Sequence, residues 1–422
     1  MKKKWLRTLA TAITVVSLTG TLVGCGAKKE DANKPGEKAN LTMSTWAGAD
    51  ELKQMQTVVD KLNTKSKDYK LTLQSIPADY YIKLQTMIAA KQAPDLMWLS
   101  QEYIPMYAQL GAIEDITTKA TSDPLVKLSD YFEGPLDTAK YKDKLYGLPW
   151  ISGPVVMYYN EDLLKAAGVA LPDGNWTWED FRAAAKKTTI ATKGDGKINQ
   201  WGTVIGGWPP LHTWIWAYGG EAVDKDGKVL IDSPESIKGI TMLNNILNVD
   251  KVSPSKEQAS NMGDSDLFKT GKVAMFFGGA GDDLEKQIGT KFKVGMAEMP
   301  QGVKKTTFSW IASTVVSSKT KNKDAAYKAL VDMTNAVHQW KVVPPIKTGF
   351  DMITVNMPEK AYALDVIKKS SEYARGFNNQ EKEAEIDNAI WEEIYSPIIN
   401  KKKTPEAAAK AAAAKIKTII GQ

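Results

Sequence analysis

Cysteine is almost absent from this 422-residue chain: Cys25 is the only one, so no internal disulfide can form. Histidine is nearly as scarce, with His212 and His338 alone and no HxxxH or HExxH spacing, which argues against a histidine-metal hydrolase. Neither a G-x-S-x-G elbow nor a Walker A sequence occurs, and the common hydrolase and NTPase readings go with them. Arginine stands only at Arg7, Arg182 and Arg375, lysine serving nearly everywhere else as the generic cation. The lysines follow no nucleic-acid-binding motif, and four of the positive charges behind the formal +6 (Lys2, Lys3, Lys4 and Arg7) lie at the extreme N-terminus. A solvated surface, with no nucleic-acid partner, is the expectation.

What is present starts with a leader. Those four cations precede the apolar stretch Leu9 to Val23, too short and too Thr-rich for a membrane span, and the stretch ends in Leu22-Val23-Gly24-Cys25. This end resembles the lipobox of bacterial lipoproteins, which implies cleavage after residue 24 and a diacylglycerol on Cys25; the alternative is an ordinary secretory signal. Residues 25–40, rich in Lys, Ala, Asp, Glu and Gly, read as a tether that buries no core. The rest has ordinary globular composition, 43% hydrophobic and 25% charged, and is long enough for two domains or lobes.

From Leu41 onward the pattern is β-α-β-α-β: strands at Leu41 to Trp46, Tyr69 to Ile76 and Leu96 to Leu99, with helices at Glu51 to Leu62 and Tyr81 to Ala90. Gly147 and Pro149 then read as a stop before a strand at Val155 to Tyr159 that is buried on both faces. Asn160 is a helix N-cap with acids behind it, Gly168 a left-handed C-cap, and Thr177 with Asp180 a capping-box start for a second helix. A polar loop from Thr188 to Asn199 leads to Trp201-Gly202-Thr203-Val204-Ile205; later segments predict an Asp226-Gly227 hairpin and a helix at Ser236 to Asn248, and Gly271 to Gly279 resembles a strand and Gly-rich turn of the family named below. Phe308 to Ser318 reads as a strand, Asp324 to Thr334 as a helix, and Thr404-Pro405-Glu406 as the start of the last helix, whose alanine run ends in Ile416, Ile419 and Ile420 for docking.

The order of these segments, and the residues YGLPWISGPVVMYYNEDLLKAAGVALPDGNWTWEDF in particular, resembles the solute-binding proteins of carbohydrate-uptake ABC transporters, the maltose-binding-like extracellular family 1. That resemblance implies an α/β, two-lobed periplasmic-binding-protein-like (class II) fold with interleaved lobes joined by a hinge. The first lobe would hold residues 41–150 with 311–343 and the second 151–310 with 344–422, the chain crossing near Pro149, near Phe308 to Ile311 and near Val343 to Pro345. It also implies a non-enzymatic, cofactor-free, monomeric receptor, lipid-anchored on the outer face of the cell membrane. Such a receptor captures a mono- or oligosaccharide between its lobes and passes it to ABC permease subunits. The competing readings are a lipoprotein glycosidase or lyase, and a receptor for a polyamine or ferric ion.

Sugar recognition needs aromatic planes for the C–H face of the ring and polar partners for its hydroxyls. The chain has 13 tryptophans, of which Trp46, Trp208 and Trp310 stand at strand ends or in Gly/Pro-rich loops, where open α/β sheets hold ligands. By resemblance the first lobe also contributes Asp79, Tyr80, Ser100 and Glu102, and the second His212 and the turn Gly278 to Asp282. The family commonly carries a tryptophan after that turn; this chain has Gly281-Asp282 instead. Arg375 falls in a loop that approaches the sugar in the family, so it is expected either to meet an acidic sugar or to pair with an acid such as Glu372 or Glu381. Asp195-Gly196-Lys197-Ile198-Asn199 is read as a turn rather than a calcium loop, and no metal site is expected.

Overall fold

The structure, a computed structural model, describes residues 37–192, 196–340 and 343–422. The leader, Cys25 and most of the expected tether lie outside them, as does Asp195. Residues Lys38–Gln422 form one compact unit. Its longer strands are β1 (Ala39–Thr45), β2 (Tyr69–Ser75), β3 (Leu96–Ser100), β4 (Gly147–Asn160), β5 (Ile198–Val204), β6 (Val273–Gly279), β7 (Val294–Ala297) and β8 (Thr307–Val316), and a separate small hairpin pairs Lys140–Tyr141 with Lys144–Leu145. Together with two two-residue strands, Ile190–Ala191 and Ala374–Arg375, the longer strands make one ten-stranded sheet.

The sheet has a parallel end, β2-β1-β3, built from the expected β-α-β-α-β unit. The strands β8 and β4 then run antiparallel through its middle, and β6 and β5, parallel to each other, lie beyond. The first half of β4 pairs with β8 through Pro154, while Val155 to Asn160 pair with β6 on one side and β7 on the other. One strand therefore belongs to both halves of the sheet. Helices cover both faces, so the strands are apolar on both: Val155 and Met157 face one core with Phe181, Trp214 and Phe277, while Val156 and Tyr158 face another with Phe268 and Phe276. At the other end Leu41, Trp98 and Leu330 form one core and Leu84, Leu99 and Val315 a second.

The local signals explain most of the helices. Asn160 accepts from Leu163 N–H at 3.1 Å, Gly168 is left-handed at φ 64, and Thr177 and Asp180 cap reciprocally. Thr404 caps the helix Pro405–Ile420, whose Ala408, Ala409, Ala412 and Ala413 are buried, so the alanine run is a close-packing face. One expectation is corrected: the strand expected at Val155 to Tyr159 begins already at Gly147, so that Gly147 and Pro149 lie within β4 rather than ahead of it. A Cβ on Gly147 would stand 2.9 Å from the Thr314 carbonyl oxygen, so glycine there permits close strand approach. Pro149 lies opposite Ser313, next to the register shift between Ala312 and Ser313, where its missing N–H breaks little of the ladder. Its carbonyl accepts from His338 Nε2–H at 2.9 Å.

Candidate functional site

Where the shared strands pass between the two halves, a cavity of about 450 Å³ opens, within the ordinary range for small-molecule sites. Ile151 and Gly153 of β4 and Trp310 of β8 form one wall, and Trp208 and the turn Gly278–Asp282 another. Trp310 is half-buried and packs against cores of both halves. Its ring lies 6.0 Å from that of Trp46, which in turn meets Tyr80 edge-on at 5.3 Å and Trp98 at 5.4 Å. Trp46 is thus a half-exposed ring standing on buried aromatics. Trp208 lines the same cavity as Trp310, 5.9 Å from Phe308 and supported by the core of the second half.

Four of the expected residues, Trp46, Trp208, Trp310 and Asp282, come together in or beside this cavity. Asp282 is exposed, and its carboxylate accepts from Gly279 N–H at 2.9 Å, closing its own turn. Asp79 is exposed in a left-handed conformation at the start of the helix Tyr80–Ala89. Three expected residues are turned to internal tasks. Tyr80 is buried with its hydroxyl hydrogen-bonded to Ser44 Oγ at 2.8 Å, and burial pushes the phenol upward from its ordinary pKa. Ser100 Oγ is held by the Tyr81 hydroxyl at 2.6 Å, which in turn accepts from Ser100 N–H. His212 is 2% exposed, packed against the rings of Trp216 and Phe377, and burial lowers its pKa to about 4, so it is neutral at pH 7. Tyr80 and Ser100 find hydroxyl partners inside their own half, whereas His212 is held by ring contacts and its buried Nδ1 has no hydrogen-bond partner among the described residues.

Arg375 is also engaged, though by neither acid expected. Its Nη2 donates to Glu221 Oε2 and to Asn378 Oδ1, both at 2.8 Å, and the guanidinium lies 4.2 Å from the centre of the Trp216 ring. A planar cation stacked and paired in this way is poorly placed to seek a sugar carboxylate. Glu102 faces the other way in charge: its Oε2 is enclosed without a partner among the described residues, and burial raises its pKa. Four lining residues were not foreseen: Ile151, Gly153 and Val343, whose only signal was their place near the crossing segments, and Phe276, in β6 ahead of the Gly-rich turn.

Two α/β halves sharing their central strands, with an aromatic cavity at the junction, define the two-lobed class of binding protein. Residues 48–339 match the family described as bacterial extracellular solute-binding protein, and the chain belongs to that family. Among solved structures it is similar to an ABC substrate-binding protein from Listeria monocytogenes in complex with cycloalternan, with a TM-score of 0.78 and 27% identity over 91% of this chain and 100% of that one. Among curated proteins it is 22% identical over 395 residues to the galactooligosaccharide-binding protein of Bacillus subtilis, covering 89% of this chain and 87% of the relative. The arabinooligosaccharide-binding protein of Bacillus subtilis is 27% identical over 249 residues, 57% of this chain and 54% of that one. The family's members bind solutes rather than transform them.

Proposed function

We propose that this protein captures a neutral mono- or oligosaccharide between its halves and delivers it to the permease of an ABC importer. The observation that carries the reading is the cavity walled by Trp310 on the shared strands and Trp208 on the second half, in a chain of this family. Two tryptophan planes offer the C–H faces of a sugar ring the apolar contact that water cannot. The engagement of Arg375 by Glu221 favours a neutral ligand over a uronic acid. The first half comprises 41–150 with 311–343 and the second 151–310 with 344–422, a division that the core residues support except at Phe132 and Val343, both buried in a core of the second half. The Phe132 side chain packs against Phe350 on the second half's side.

A titration panel of neutral oligosaccharides, uronic acids, polyamines and ferric ion tests the ligand. A sugar present at a hundred times its Kd is expected to stabilise the fold by about 2.7 kcal/mol. Stabilisation by an amine or by ferric ion alone would overturn the sugar reading, and product formation from an oligosaccharide would make the protein a glycosidase or lyase.

The mature protein, on this reading, is a monomer beginning at lipid-bearing Cys25 on the outer face of the cell membrane. Cys25→Ser is expected to move it from the membrane to the soluble fraction, since the diacylglycerol and its companion acyl chain supply the lasting attachment. Retention at the membrane would require another anchor.

A further inference from the structure

Of the five residues in the turn Gly278–Asp282, three are glycine, which leaves it little side-chain packing of its own. Yet it walls the cavity, and a wall that wanders cannot hold hydroxyls in register. Above, the turn is tied by Asp282 to Gly279 N–H and by Ala280 N–H to the Pro154 carbonyl at 2.9 Å. Below it lies Lys360, from the short helical segment Pro358–Ala363, with a side chain that is fully buried. A lysine in such a place must have all its donors met.

They are met by three groups. Lys360 Nζ donates to the Asp282 carbonyl at 2.6 Å, to Glu285 Oε2 at 2.7 Å and to the Tyr158 hydroxyl at 2.8 Å. That hydroxyl donates to the Gly279 carbonyl at 2.9 Å, and Glu285 accepts on its other oxygen from the Tyr362 hydroxyl at 2.8 Å. Both ends of the glycine turn are thereby fastened to one ammonium. Burial pulls the ammonium's pKa down, and the neighbouring Glu285 carboxylate opposes the pull.

Resting on the sugar-binding reading, we propose that Lys360 is a positioning residue for the ligand site, clamping the Gly278–Asp282 turn from beneath through Asp282, Glu285 and Tyr158. It touches no ligand. Its task is to keep the turn's backbone and the Asp282 carboxylate in the geometry that the bound solute meets. Charge and reach are both needed, because the ammonium sits on a carbonyl and a carboxylate at once.

The test compares wild type, Lys360→Met and the milder Tyr158→Phe, which keeps the ring and loses one link. Two readouts apply: Kd for a sugar that binds wild type, measured on protein shown folded by circular dichroism, and amide hydrogen exchange without ligand. Lys360→Met is expected to weaken binding at least tenfold and Tyr158→Phe about threefold. Exchange should accelerate at the Gly279 and Asp282 amides ahead of the β4 and β6 strands. If Lys360→Met does not fold, Tyr158→Phe decides by the same two readouts. Unchanged Kd with a lower melting temperature, or exchange that accelerates uniformly across the second half, would overturn the proposal by making Lys360 a general stabiliser. Should no sugar bind wild type, the functional reading fails, while the exchange experiment still decides whether Lys360 holds the turn.

Discussion

Trp310→Ala is expected to abolish useful sugar capture, weakening binding at least a hundredfold, and to destabilise the ligand-free fold by about 2–3 kcal/mol. A fully enclosed tryptophan costs about 3–5 kcal/mol on truncation to alanine, and Trp310 is only half-buried. The larger loss falls on binding because the ring has two duties. It lines the cavity, and it packs against cores of both halves at the strand that joins them. Removing it opens the wall and also loosens the angle at which Trp46 and Trp208 are presented. Calorimetric titration with a sugar that binds wild type reads the first effect, and urea unfolding without ligand reads the second. Affinity within threefold of wild type would show that Trp310 is a structural wedge and that another ring carries the stacking.

Trp310 illustrates what the sequence could show. Its strand, read as Phe308 to Ser318, was legible from the apolar run, and its candidacy for ligand contact from its residue type and surroundings, whereas a crossing there was implied only by the family resemblance. The caps at Asn160, Thr177 and Thr404 were equally legible because a cap is local chemistry, settled within four residues. Gly147 and Pro149 misled because the same residues serve a turn and a bulged, tightly approached strand. The difference lies in Thr314 and Ser313, more than 160 positions away. Site residues divide along the same line. Trp46, Trp208 and Trp310 are recognisable by type and context, whereas His212, Tyr80 and Ser100 look identical in sequence whether their polar atoms face a ligand or a neighbouring core. Arg375 was visible as an exception in a lysine-rich chain, but its partner Glu221 lies 154 positions earlier and nothing local announces it. Lys360 gave no signal at all: one lysine among many, with Tyr158, Asp282 and Glu285 brought to it by the fold alone.

The second large effect concerns pH. Glu383, at the start of the helix Glu383–Ile390, is 3% exposed; burial first, then the nearby carboxylates Asp387, Glu221 and Glu102, raise its pKa from 4.5 to about 8. Asp387, one turn on, is raised from 3.8 to about 6 by burial. Arg375 is paired with Glu221. The folded protein therefore keeps on Glu383 a proton that the unfolded chain has already released. Below about pH 4.5 both states hold that proton and no penalty exists. As pH rises from there to about 8, the unfolded state is favoured progressively, at about 1.4 kcal/mol for each pH unit crossed. Urea unfolding should show stability falling between pH 5 and pH 8, by an amount on the order of 5 kcal/mol at most, about 1.4 of it from Asp387. Glu383→Gln, which keeps the shape and removes the charge, is expected to match wild type near pH 5. At pH 8 it should be more stable by about 2–4 kcal/mol, leaving only the slope that Asp387 supplies below pH 6. A wild-type profile that is flat from pH 6 to 8, or a glutamine variant less stable at pH 8, would mean that Glu383 is ionised and paired in the folded state.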